Sequence, residues 1–196
     1  MTKKIKYDNI ILEKEKEIMK IVLFNSRNKD NKNIPNFKQR SKTFIFKDEE
    51  TAMNKFIKFS EDGVPGEISR FYISVNERDE EKTRKQLICE LVMENINLRK
   101  IESKVCSIAM QPENAKEKKW LFDFDENNKE LAENFAKDIR TFGKCQVWVK
   151  PTKNGYAIIS EHGFDTRELL TKYKNYDITL KRDAMLYVRS YTKSKI

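Results

Sequence analysis

The chain has 196 residues, 38% of them hydrophobic and 36% charged, with 40 Lys+Arg against 31 Asp+Glu and a formal net charge of +9. That length supports one domain with a real core, or a core plus a small appendage, and 12 Phe, 7 Tyr and 2 Trp argue against a disordered chain. One histidine, His162, and three scattered cysteines, Cys89, Cys106 and Cys145, exclude a multi-His centre and argue against a zinc site.

Other classes fall away on similar grounds. No apolar run reaches transmembrane length, so no membrane is expected. With 5 glycines there is no Gly-rich phosphate loop. The odd cysteine count and the lack of a signal sequence point to a reducing, cytoplasmic setting. Net positive charge favours a polyanionic partner, although an AT-rich gene would enrich lysine for reasons unrelated to binding.

In chain order, Ile5 to Phe24 alternates apolar and charged residues and reads as a strand pair or a short helix. Asn25 to Lys42 is polar, contains Pro35, and reads as a linker. Thr43 to Phe46 follows as a short strand. Asp48 is placed to cap a helix through Phe59, with Ala52, Met53, Phe56 and Ile57 at helical spacing. Arg70 to Val75 is a strand, and a helix runs from about Asn76–Asp79 to Asn95 with Leu87, Ile88, Leu91 and Val92 as its apolar stripe. A further amphipathic segment covers Ile101 to Met110.

The last third has a clearer plan. Lys119 to Asp125 is a strand. A helix from Asn128 to Phe142 ends at Gly143 as its C-terminal cap. Cys145 to Pro151 and Tyr156 to Ser160 are strands joined by an Asn154-Gly155 hairpin turn. Asp165, with Glu168 three residues on, is placed to cap a helix to about Tyr173. Met185 to Arg189 reads as the closing strand. Strand, helix, strand, strand, helix, strand is the ferredoxin/RRM-like βαββαβ plan, with both helices on one face and the other face open. The expected organisation is therefore α+β. It comprises an N-terminal segment (1–42), an α/β region (43–117) and an RRM-like, palm-like module (118–196), packed separately or as one compact domain.

Four groups of residues carry candidate chemistry. On the Lys119 to Asp125 strand, Trp120, Phe122 and Phe124 share one face and Asp123 and Asp125 the other. Two carboxylates side by side repel unless a cation lies between them, and oxygen-only ligation favours Mg2+ or Mn2+. A strand end with its acids in water accounts for the same pattern. Arg70 and Tyr72 share a strand face and suit stacking or phosphate contact, or merely a half-buried strand. Gln146, Trp148 and Lys150 share a face that is either a stacking surface or core. Lys116, Lys118 and Lys119 beside the carboxylate strand either neutralise phosphates or form a solvated turn, and Lys150, Lys153, Lys181 and Arg182 would form a basic rim around the acidic pair.

With these residues in place, the C-terminal third resembles the archaeo-eukaryotic primase (primase–polymerase) superfamily. Phe122-Asp123-Phe124-Asp125 resembles its Asp-x-Asp strand, and the stretch Thr152 to Ile159 resembles the surroundings of its second motif. It is also similar to small bacteriophage proteins with a Phe-Asp-x-Asp strand and an Asn-Gly-Tyr hairpin. The resemblance implies a palm in which Asp123 and Asp125, with Asp183 or Asp177 as a late carboxylate, hold Mg2+ or Mn2+ for nucleotidyl transfer. Arg70, Tyr72, Lys150, Lys153 and His162 would then face nucleic acid or nucleotide. The family's histidine position is Ala157 here, and loss of such a contact costs about two to three orders of magnitude in rate. The alternative is a non-catalytic protein that binds nucleic acid or a host protein, in the bacterial cytoplasm if phage-encoded. A virion assembly protein is a third reading.

Overall fold

The computed structural model describes residues 19–46, 48–93 and 97–194. It is a mixed α+β structure with two antiparallel four-stranded sheets and, among the described residues, five α-helices. The expectation for Ile5 to Phe24 lies partly outside the described residues. Its remainder opens strand β1, Lys20–Ser26.

The first sheet has the order β2-β1-β3-β8, where β2 is Arg40–Phe46, β3 is Ile68–Ser74 and β8 is Met185–Thr192. Helix α1, Glu49–Glu61, lies on one face. It starts where expected because the Asp48 carboxylate accepts the Thr51 N–H at 2.7 Å, satisfying one of the first-turn donors that lack a helical partner. Ala52, Phe56 and Phe59 then point inward together against Phe24, Phe44 and Phe71. Phe24 sits at the centre, with four ring neighbours at 5.0–5.6 Å. Full burial of each such side chain stabilises the fold by roughly 1.5–3 kcal/mol. The other face of β1 carries Ile21, which packs with Cys106 and Ala109 of α3, Ile101–Ala109.

The second sheet has the order β5-β6-β4-β7, with β4 Trp120–Phe124, β5 Val147–Pro151, β6 Tyr156–Ser160 and β7 Ile178–Lys181. Helices α4, Lys129–Gly143, and α5, Arg167–Lys172, supply Ala132, Phe135, Ala136, Ile139 and Leu169 to a cluster with Phe122, Phe124, Val147 and Ile158. Alternation along β4 thus places Phe122 and Phe124 under the helices and Leu121 and Asp123 on the opposite face.

Several expectations need correction. Met185 to Arg189 is a strand, but it leaves the second sheet and pairs with β3 in the first. The edge position beside β4 belongs to β7 instead. A strand's local pattern does not name its partner. The opposite face of the second sheet is also not open throughout. Leu121, Ala157 and Ile159 are buried in one cluster with Val22, Phe24, Ala184 and Leu186. The expected linker is structured at both ends: Arg40 to Lys42 belong to β2, and near its start the buried Asn31 accepts the Ile68 N–H at 2.6 Å and donates to the Arg27 and Ile68 carbonyls.

Two cap readings change as well. The left-handed residue after α4 is Lys144 (φ 49°), while Gly143 is needed for space, since a Cβ there would lie 2.9 Å from the Phe164 ring. Asp165 binds Arg167 rather than completing a capping box. On α2, Glu80–Met93, the expected apolar stripe is largely exposed at Ile88, Leu91 and Val92.

The Asn154-Gly155 turn forms as read, with Thr152 N–H donating to the Gly155 carbonyl at 2.8 Å. A Cβ on Gly155 would fall 2.1 Å from the Phe124 carbonyl oxygen, and backbone cannot yield as a side chain can. Gly155→Ala is expected to destabilise the protein by about 2–3 kcal/mol, read as a lower urea midpoint with an unchanged slope.

Candidate functional site

The residues singled out from the sequence fall in three places. The first is the seam between the sheets. Asn76, just after β3, donates to the Lys119 carbonyl and to Asp183, and its side-chain oxygen accepts the Lys119 N–H. Arg78, fully buried, donates two bonds to Asp183 at 2.7 and 2.8 Å. Asp183 is therefore a welding group, held at the Lys119 end of β4. Asp123 and Asp125 lie four and six residues further along that strand, roughly 13 and 20 Å at extended rise. One metal cannot be shared across that distance.

The second place is the outer face of the first sheet. Phe71 and Ile73 point into the core cluster, so Arg70 and Tyr72 point the other way. Arg70 is tied to Asp30 and reaches the Tyr72 hydroxyl at 3.5 Å, and Tyr72 meets Tyr187 edge-on. These residues brace the Arg27 to Asn31 loop and do not join the carboxylate strand.

The third place is the face of the second sheet that the helices leave. Register aligns Lys150, Ala157, Asp123 and Thr179 in one row, and Trp148, Ile159, Leu121 and Lys181 in the next. Side chains directly opposite one another share a face. The expected neighbours Lys150 and Asp123 are thus on one surface, two strands apart, about 10 Å.

The Asp123 carboxylate accepts from the Lys181 ammonium at 2.5 Å. Burial, and then the charges of Asp123 and Asp177, raise the Asp125 carboxyl above its ordinary value. Among the described residues no group of three or more His, Cys, Asp or Glu is arranged to hold a metal ion. With Lys181 on Asp123 and Asp183 engaged elsewhere, these residues do not fit a two-metal centre. The raised Asp125 pKa means that the folded state holds this proton more tightly than the unfolded chain. Its contribution is therefore favourable in acid and is lost as pH rises through the raised value. Asp125→Asn should gain a few tenths of a kcal/mol at neutral pH, a small amount because the group is exposed. Thermal melts at pH 7 and pH 3 would show the gain only at pH 7.

The other predicted contacts are peripheral. Lys153 is exposed on the β5–β6 turn, whose Gly155 backs the Asp125 end of β4. His162 is exposed beyond the Ser160 end of β6, which pairs with Trp120 rather than Asp123. It is not placed to substitute for a histidine at Ala157.

Lys20 is a further member of this surface that its own sequence neighbourhood marks only weakly. This half-buried residue opens β1 and lies in electrostatic range of Lys119 and Lys150. Burial, then the Lys119 charge, hold its ammonium below the ordinary lysine value, and burial does the same to Lys150. Lys119 pairs with Glu117 at 2.7 Å, and its ammonium lies 5.6 Å from the Trp148 ring centroid. Neither Lys20 nor Lys150 has an ion-pair partner among the described residues. The available signal was a lysine opening the otherwise apolar run Ile21-Val22-Leu23-Phe24.

No helix among the described residues is long and apolar enough to cross a membrane. No family model, curated protein or solved structure matches this chain.

Proposed function

We propose that the protein is a non-catalytic nucleic-acid-binding protein that holds the phosphate backbone at the seam of its two sheets. The observation that carries this reading is the convergence of Lys20, Lys119 and Lys150 near the carboxylates of Glu117, which pairs with Lys119, and Glu77, which pairs with Lys116, with two of the three ammoniums depressed by burial. Like charges brought together out of water cost free energy, and a phosphate offsets that cost. The formal charge of +9 draws a polyanion to the molecule from a distance. The strand order β5-β6-β4-β7 in the element order β4-α4-β5-β6-α5-β7 supports a ferredoxin/RRM-like module as the platform.

The test is binding of labelled DNA and RNA over a range of salt. Log affinity should fall linearly with log salt, by close to one unit per phosphate contacted. No binding at low salt would refute the proposal.

The primase-type alternative, with Mg2+ or Mn2+ on Asp123 and Asp125, is favoured only by the carboxylate crowding at Asp125. Calorimetric titration of Mn2+ into wild type and Asp123→Asn/Asp125→Asn should give equal heats. A saturable heat lost in the variant would restore the metal site. A protein-binding role has separate support in the exposed apolar residues Ile88, Val92 and Met93 of α2 and Leu98 beyond it.

A further inference from the structure

Trp148 is the large aromatic residue that the second sheet leaves in solvent, at 37% exposure. It lies on β5, an edge strand, so nothing in the sheet flanks it on one side. On its inner side are Lys119, over its ring, and Lys150, two residues along the same face. On its outer side is a groove of about 500 Å³ lined by Arg140, Lys144, Gln146, Trp148 and Glu161, among others. Glu161 accepts the Gln146 N–H and keeps its negative charge, and Arg140 donates to the Val147 carbonyl, so the groove sets the two cations Arg140 and Lys144 against one carboxylate. Cations therefore lie on both sides of one exposed indole. From Lys144 to Lys150 the chain spans at most about 20 Å, the scale of a short oligonucleotide segment.

We infer that the preferred ligand is single-stranded nucleic acid, with one base stacked on Trp148 and its flanking phosphates held by Lys119 and Lys150 on one side and by the Arg140–Lys144 groove on the other. This rests on the nucleic-acid reading and specifies the form of the ligand. The reason is chemical. A duplex keeps its base faces stacked inside and offers only phosphates, for which an indole adds nothing. A single strand offers a base face next to each phosphate, and stacking on an aromatic side chain tolerates any base. The lysine over the ring adds a cation–π contact, so the ring is held in place before a base arrives.

The experiment compares a short oligothymidylate, an oligouridylate, a matched duplex and inorganic polyphosphate, each binding the full chain at the same low salt. The single strands should bind at least tenfold tighter than the duplex or polyphosphate. Trp148→Ala should weaken the single strands about tenfold, leave polyphosphate unchanged, and be largely rescued by Trp148→Phe. Because Trp148 is exposed, circular dichroism and melting should show both variants folded. Equal affinity for duplex and single strand, or single-strand binding indifferent to Trp148→Ala, would overturn the inference while leaving polyanion binding in place. Failure of every polyanion to bind would remove both.

Discussion

Replacing Arg78 by Ala is expected to destabilise the protein by about 3–5 kcal/mol, the usual cost of removing one partner from a buried ion pair. Arg78 is fully buried, and its guanidinium donates to both carboxylate oxygens of Asp183. Its backbone bridges Met19, before β1, and Ala115, ahead of β4. Asn76 and Lys119 complete the same weld. The variant leaves Asp183 half-buried beside Asn76 with no cation. Much of the loss is that stranded charge, so Arg78→Met/Asp183→Asn should recover part of it. Urea unfolding of the single and double variants measures both. A loss under 1 kcal/mol for Arg78→Ala would mean that the Arg78–Asp183 pair does not hold the two sheets together.

Reversing two seam charges, Lys119→Glu/Lys150→Glu, should weaken nucleic-acid binding at least tenfold at low salt and reduce the salt slope by about two. Lys119→Glu also breaks the Glu117 ion pair and sets two carboxylates together, so a stability loss of about 1 kcal/mol is expected, and affinities are compared below the melting range of both proteins. The pH dependence has a definite sign. Burial first lowers the Lys20 and Lys150 ammoniums from the ordinary 10.5, so the folded state binds these protons less tightly than the unfolded chain. Stability therefore rises as pH climbs through the lowered values, while charged lysines burden the fold below them. A bound phosphate favours the charged forms. Affinity should then fall as pH rises through the lowered lysine range, before ordinary lysines titrate. Thermal stabilisation by an oligonucleotide should be largest below that range.

Local chemistry made much of the second sheet readable. Alternation in Trp120 to Asp125, the Asn128 cap and amphipathic face of α4, and the Asn154-Gly155 turn each follow from neighbours in sequence. What sequence could not reveal was pairing at long range. β8 carries the same strand signal whichever sheet it joins, and its choice of β3 removed Asp183 from any palm-like site. The Asp-x-Asp pattern marked Asp123 on the strand, but Lys181, fifty-eight residues on, was needed to see its carboxylate paired. Lys20 escaped notice because its meaning depends on Lys119 and Lys150, which only the packing of the two sheets brings near. Trp148 was ambiguous for the same reason, because an edge strand and a central one read alike.

The most direct test of the account is chemical crosslinking of a bound oligonucleotide to the lysines of the full chain, followed by peptide mapping. Adducts are expected at Lys119 and Lys150, with protection of Lys20 from acylation when the oligonucleotide is bound. Adducts confined to Lys153 and Lys181 beside the carboxylates, or to Lys82 and Lys85 on α2, with Lys20 equally reactive throughout, would contradict it.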